Sequence, residues 1–144
     1  MQYVDDVLNA KGRDVYTATP TTTVFEALEL MADKEVGALV VVDKDRLVGI
    51  VSERDYARRL ALEGKRSRDT PVREIMTDVV ATISQSDSMK DCMERMTNQR
   101  VRHLPVVEGD RLIGLISIGD VVKSIMSDQE LMIQQLENYI TGRV

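Results

Sequence analysis

The sequence predicts a mixed α/β (α+β) fold: two pseudo-symmetric copies of one β-α-β-β-α unit, packed sheet to sheet. Three observations predict it. First, one ungapped offset of 65 residues lays the second half on the first. Val15 and Thr17 fall on Val80 and Thr82, Met31 on Met96 and Leu39 on Leu104. Val41 and Val42 fall on Val106 and Val107, and Gly49, Ser52 and Asp55 on Gly114, Ser117 and Asp120. Agreement in one frame at glycine and polar positions marks an internal repeat, and a repeat decides the fold before any local reading does. Second, each copy carries two apolar runs joined by a short polar link, the pattern of a β-hairpin. Third, each copy has apolar residues at helical spacing ahead of those runs.

The elements follow in order. Val15–Thr17 and Val80–Thr82 are short extended pieces, each leading into a turn rich in Thr or Ser. Val24, Leu28 and Met31 share one helix face, as do Met89, Met93 and Met96. Thr22 or Thr23, and Asp87 or Ser88, have the side-chain oxygen that an N-cap needs. Ala38–Val42 pairs with Leu47–Val51, and His103–Val107 with Leu112–Ile116. These runs are apolar at nearly every position, so both sheet faces should be covered. A second helix begins after Ser52 and after Ser117. The link starts basic at Lys65, Arg66 and Arg68, then passes Pro71 into a short helix over Val72–Met76. The tail, with Leu131, Leu136 and Ile140, reads as helical. The expected organisation is 1–64 (first repeat with the N-terminal segment), 65–78 (linker), 79–126 (second repeat) and 127–144 (C-terminal helix). One copy alone is too small to bury its apolar faces, so the two must pack together and leave a cleft at their pseudo-two-fold axis.

Composition narrows the function classes. The chain has 144 residues, of which 43% are apolar; four Tyr, one Phe and no Trp make the core aliphatic. A net charge of −5 argues against broad nucleic-acid binding, which needs many phosphate contacts, but leaves room for a small anion site lined by local arginines. Cys92 has no partner cysteine in the chain and, beside Met93 on a helix, reads as a buried, inert thiol. The eight methionines fall mostly at core spacing. No run of about 18 apolar residues is present to span a bilayer, and the N-terminus lacks a secretory layout, so the expected compartment is the cytoplasm. One His, one Cys and no Walker-type loop argue against an enzyme.

The stretch Gly49, Ile50, Val51, Ser52, Glu53, Arg54, Asp55 and its partner Gly114, Leu115, Ile116, Ser117, Ile118, Gly119, Asp120 resemble the G-h-x-[ST]-x-x-D signature of CBS domains. Arg102–Val107 and the pair Met76 and Thr77 are similar to further stretches of that family. The resemblance covers roughly Met1 to Ser127. It implies a tandem CBS pair, or Bateman module, of the stand-alone bacterial type. Such a module is regulatory and binds AMP, ADP or ATP between its repeats, with no other cofactor. The signature Asp would hold the ribose hydroxyls and the Ser/Thr would assist with phosphate. The resemblance also implies a homodimer, a disk of four repeats, and leaves open a regulated protein partner.

Each candidate residue carries a functional and a structural reading. Asp55 and Asp120 can accept both hydrogen bonds of a vicinal diol. Ser52 with Asp55, and Ser117 with Asp120, are equally the two ends of a capping box. Gly49 and Gly114 mark either a close approach or a bulge. Arg54 is placed to fork onto phosphate, where the second repeat has Gly119; Arg58 and Arg59 read as a solvated basic face. Arg102 and His103 open a strand where the first repeat has Gly37 and Ala38, which leave room for an adenine. Val15, Val36 and Val101 are candidate apolar walls, and Thr17 and Thr82 either contact the ribose or phosphate or are ordinary strand threonines. The Asp55 side, with Arg54, is the expected site if only one fills.

Overall fold

The computed structural model describes residues 1–142. It contains α1 (Val4–Lys11), β1 (Thr17–Ala18), α2 (Val24–Lys34), β2 (Ala38–Asp43), β3 (Arg46–Ser52) and α3 (Glu53–Asp55), which continues as a π-helical stretch over Tyr56–Ala61. A 3-10 turn over Val72–Glu74 precedes α4 (Met89–Gln99), β4 (His103–Glu108), β5 (Arg111–Ser117) and α5 (Ile118–Thr141). The repeat is therefore physical, and each local signal has its cause in place. Thr23 and Ser88 cap α2 and α4, each closing a box with the acidic residue three positions on. Both hairpins share one register, Ala38 opposite Ser52 and His103 opposite Ser117. Each carries the same bulge: Val41 faces Gly49 while Val42 faces Leu47, and Val106 faces Gly114 while Val107 faces Leu112. β3 and β5 meet at one residue pair, Arg46 with Arg111, so the strands run β1-β2-β3-β5-β4.

The extended piece ahead of α2 sits slightly later than expected. β1 is Thr17–Ala18, parallel to β2, and its counterpart shrinks to one bridge, Ile83 with Val106. The anchors are the buried pair Ala18 and Ile83, one offset apart, rather than Val15 and Val80. The tail is not a separate helix. α5 runs unbroken past Ser127, because no Gly or Pro lies between Gly119 in its first turn and Gly142, where it ends in the left-handed region. Residues 143 and 144 of the expected tail lie outside the described residues.

The larger difference concerns the N-terminal segment, which belongs with the second repeat. Val4 and Leu8 are fully buried in a core with Ile83, Met89, Cys92, Met96, Leu104, Val106 and Ile116. The linker does the reciprocal job: Val72 and Ile75 complete the first repeat's core with Val24, Met31, Leu39, Val41 and Val51. The backbone contacts match one for one. Val4 N–H donates to Asp87 O (2.9 Å) as Val72 N–H does to Thr22 O (2.8 Å). Met89 N–H donates to Gln2 O (2.9 Å) as Val24 N–H does to Thr70 O (2.8 Å). Each repeat is thus completed by the segment that precedes the other. The two glycines are explained here: a Cβ on Gly114 would stand 2.7 Å from Leu8 Cδ2, and one on Gly49 would stand 2.6 Å from Met76 Sδ. The close approach is made by the exchanged segments, and the bulge lies beside it.

Candidate functional site

A cleft of about 820 Å³ opens between the repeats on the Asp55 side. Its floor is the start of β2 and end of β3, with Gly37, Ala38, Ile50 and Ser52; α3 brings Glu53, Arg54 and Asp55 to the rim. The second repeat contributes Arg100, Val101, Arg102 and His103, and the incoming chain adds Thr77, Val79, Val80 and Ala81. Two backbone clamps fix the frame. Glu53 N–H donates to Gly37 O (3.1 Å) and Ile118 N–H to Arg102 O (2.9 Å), the same bond one offset apart. Thr77 and Ile50 exchange both backbone bonds (3.0 and 2.9 Å), which ties the incoming chain to β3 beside the cleft.

Asp55 is a capping residue. Its Oδ2 accepts from Ser52 N–H (2.9 Å) and Ser52 Oγ (3.0 Å), while Ser52 Oγ accepts from Asp55 N–H (3.2 Å). Among the described residues Oδ1 takes no hydrogen bond, and its nearest cation is Arg59 Nε at 4.0 Å. The box therefore fixes the orientation of the carboxylate, whose residue lines the cleft. Arg59 Nη1 donates to the carbonyls of Ile75 and Met76 (3.1 Å each), so this guanidinium is tied to the wall. Arg54, Arg58, Arg100 and Arg102 complete a basic lining opposed by Glu53 and Asp55, within a chain of net charge −5. Ile50, Val79, Val80, Ala81 and Val101 form an apolar wall; Val79 is 87% exposed.

Asp120 sits in the same box, with Oδ2 accepting from Ser117 N–H (2.9 Å) and Ser117 Oγ (3.1 Å). It differs in one contact: Lys11 Nζ donates to the same oxygen at 2.7 Å. Burial by itself would raise this carboxyl, but the Lys11 ammonium and the Ser117 donors outweigh it and hold it below the ordinary range. His103 is pushed down by burial and by the nearby Lys11 and Arg102 cations, against an opposite pull from Asp120. Its imidazole is neutral at neutral pH and offers a hydrogen bond rather than a charge.

Of the candidates from sequence, the cleft brings together Gly37, Ala38, Ser52, Arg54, Asp55, Val101, Arg102 and His103. Thr17, Val36, Thr82, Ser117 and Asp120 lie outside its lining. Thr17 is an exposed strand residue, and the Thr82 carbonyl accepts from Arg95. Arg58 and Arg59, read as a solvated face, line the cleft, since the helix after Asp55 runs along it. Sequence reasoning missed Ile50, Glu53, Thr77, Val79, Val80, Ala81 and Arg100. The first two lie inside the signature and Thr77 inside the Met76 motif; Arg100 gave no signal, because it is the left-handed residue that ends α4 (φ 55°). No group of three or more His, Cys, Asp or Glu among the described residues could hold a metal.

The family model for the CBS domain matches this chain twice, at residues 4–62 and 72–127. A mitochondrial CBS domain-containing protein of Arabidopsis thaliana, CBSX3, is 36% identical over 96% of this chain and 72% of its own length. The CBS domain-containing protein YhcV of Bacillus subtilis is 33% identical over 90% of this chain and 89% of its own. Among solved structures, a CBS-domain protein from Burkholderia ambifaria superposes with a TM-score of 0.85 at 51% identity, covering 89% of this chain and 96% of that one.

Proposed function

The chain belongs to the CBS-domain family, as a tandem pair, and from that premise we propose that it is a regulatory module binding an adenine nucleotide in the Asp55 cleft. The observation that carries this reading is a carboxylate oriented by its capping box in a cleft lined by apolar side chains and a group of arginines. Adenine stacks against Val79, Val101 and Ile50, which covers the exposed Val79 side chain. The ribose hydroxyls donate to Asp55 Oδ1, and phosphate is taken by Arg54, Arg58 and Arg102, whose fork geometry suits it. The basic lining favours AMP, ADP or ATP over a cationic adenosyl ligand such as adenosylmethionine. Occupancy would report nucleotide status to a protein partner, without chemistry in the cleft and in the cytoplasm. Titration calorimetry on ligand-free protein tests this. AMP, ADP or ATP should bind, and Asp55→Ala should weaken binding by about 10- to 100-fold, the loss of a hydrogen bond to a charged group. Absence of binding below millimolar for all three would sink the reading.

A second reading rests on α5. Beyond Met126 this helix buries nothing, and Met132, Ile133, Leu136, Tyr139 and Ile140 are all exposed. Such a stripe suits a homodimer, with or without nucleotide. A hexameric CBS-CP12 protein from bloom-forming cyanobacteria (25% identity, TM-score 0.73, covering 83% of this chain and 70% of that one) shares the fold. In sedimentation velocity, Ile133→Glu with Leu136→Glu should lower the mass; an unchanged mass counts against this reading.

A further inference from the structure

Two helices end on a residue whose backbone favours glycine. α2 ends at Glu35 and α4 at Arg100, both left-handed at φ 55° and ψ 44°. A Cβ crowds the backbone in that conformation, which is why glycine is the usual helix-ending residue there. The two positions are one repeat offset apart and carry opposite charges. Arg100 lines the Asp55 cleft, and Glu35 does not.

The cleft also gathers cations that have no anion. Among the described residues, Arg54, Arg58, Arg100 and Arg102 make no ion pair, although Glu53 and Asp55 line the same cleft. Elsewhere Arg13, Arg46 and Arg66 each reach a carboxylate, at 2.7, 2.9 and 3.4 Å. Like charges drawn together along one concave wall repel each other and concentrate a small anion. The first repeat supplies Arg54 and Arg58, and the second supplies Arg100 and Arg102, on either side of the apolar Val101.

We propose that Arg100 is an anion-contacting residue of the cleft, taking the nucleotide's phosphate from the second repeat while Arg54 and Arg58 take it from the first. This rests on the nucleotide reading above and adds that the phosphate itself joins the two repeats. A planar guanidinium can fork onto phosphate oxygens, which a glycine in the same cap could not do. Arg100 therefore serves the ligand at a position where the fold favours another residue.

That separation makes the test clean. By urea unfolding, Arg100→Gly and Glu35→Gly should both raise the midpoint, since each relieves a left-handed cap. By calorimetry, Arg100→Gly should weaken AMP binding about 10- to 100-fold, the loss of a charge-assisted contact, while Glu35→Gly leaves it unchanged. Arg100→Gln, which keeps the cap's backbone and loses only the charge, should weaken AMP similarly. Binding to both Arg100 variants should also fall less steeply with added salt than binding to the native protein. Native-like AMP affinity in both Arg100 variants, or an unchanged salt slope, overturns the proposal and leaves the nucleotide reading standing. Inorganic pyrophosphate separates the two readings. If the native protein binds it but none of AMP, ADP and ATP, and Arg100→Gly weakens it, the nucleotide reading falls and the anion contact stands. If the native protein binds none of these, both fall.

Discussion

The exchange of segments between repeats predicts a specific pattern of energetic coupling. Leu8 is fully buried, and its Cδ2 and Cδ1 would lie 2.7 and 2.9 Å from a Cβ placed on Gly114. Ordinary contact begins near 3.4 Å, so Gly114→Ala forces Leu8 back by most of an ångström into a closed core. Overpacking of that kind costs about 1–3 kcal/mol. Leu8→Ala removes both δ carbons and leaves a cavity, at about 2–5 kcal/mol. It also loosens α1, an eight-residue helix too short to persist without its packing. In the double variant the methyl of residue 114 enters the space that Leu8 vacated, so the clash vanishes and part of the cavity is filled. The two costs should therefore fall short of their sum by about 1–3 kcal/mol, the range for residues in direct contact.

Urea unfolding measures this cycle, with the midpoint moving and the slope constant if the compactness of the end states is unchanged. Gly49→Ala supplies the control. Gly49 is the counterpart of Gly114, but it faces Met76 and the Thr77 carbonyl rather than Leu8. Combined with Leu8→Ala it should be additive within about 0.5 kcal/mol. Additivity for the Gly114 pair, or coupling for the Gly49 pair, would refute the exchange and return α1 to the first repeat.

Two further outcomes follow from titratable groups. The folded-state depression of Asp120 means that its contribution is complete above its unfolded value, near 3.8, and is lost as pH falls through the lower folded value. The urea-midpoint difference between native protein and Asp120→Asn should be constant around pH 6 and shrink as pH falls below about 4; a difference that does not shrink on acidification contradicts the pairing. The Cys92 thiol is pushed up to about 12 by burial and by the nearby Asp87 and Asp91 carboxylates. Iodoacetamide at pH 8 should leave the folded protein's mass unchanged and add one adduct in urea, and rapid labelling of folded protein would place the thiol at the surface.

What the sequence made legible was what local chemistry fixes. The caps at Thr23 and Ser88, the hairpins from Ala38 and His103, and the helix starts after Ser52 and Ser117 each depend on residues within a few positions. They follow from periodicity and capping alone. Of the eight candidates that meet in the cleft, Ser52, Arg54 and Asp55 lie inside the repeated signature, and the other five lie at or just before the start of the strands that pair with its ends. The exchange was not legible, because the repeat frame stops short of it. Val4 and Leu8 match Val72 and Met76 only in being apolar and four apart, and at an offset of 68 rather than 65. Thr17, a candidate for the ribose or phosphate, is exposed, because the parallel pairing of β1 to β2 sets which residue of β1 faces inward and buries Ala18 instead.

The difference between the two half-sites arises from what each exchanged segment does after passing its glycine. Beyond Met76 the chain reads Thr77, Asp78, Val79, Val80; Thr77 pairs with Ile50 on the sheet, and the chain bends at Asp78 and Val79. Beyond Leu8 it reads Asn9, Ala10, Lys11, which continue α1 until Gly12, at φ 100°, ends it. One further helical turn is what carries the Lys11 ammonium to Asp120. The signature builds the same oriented carboxylate in both repeats, so the one added contact, from Lys11, comes from the N-terminal helix and not from the signature.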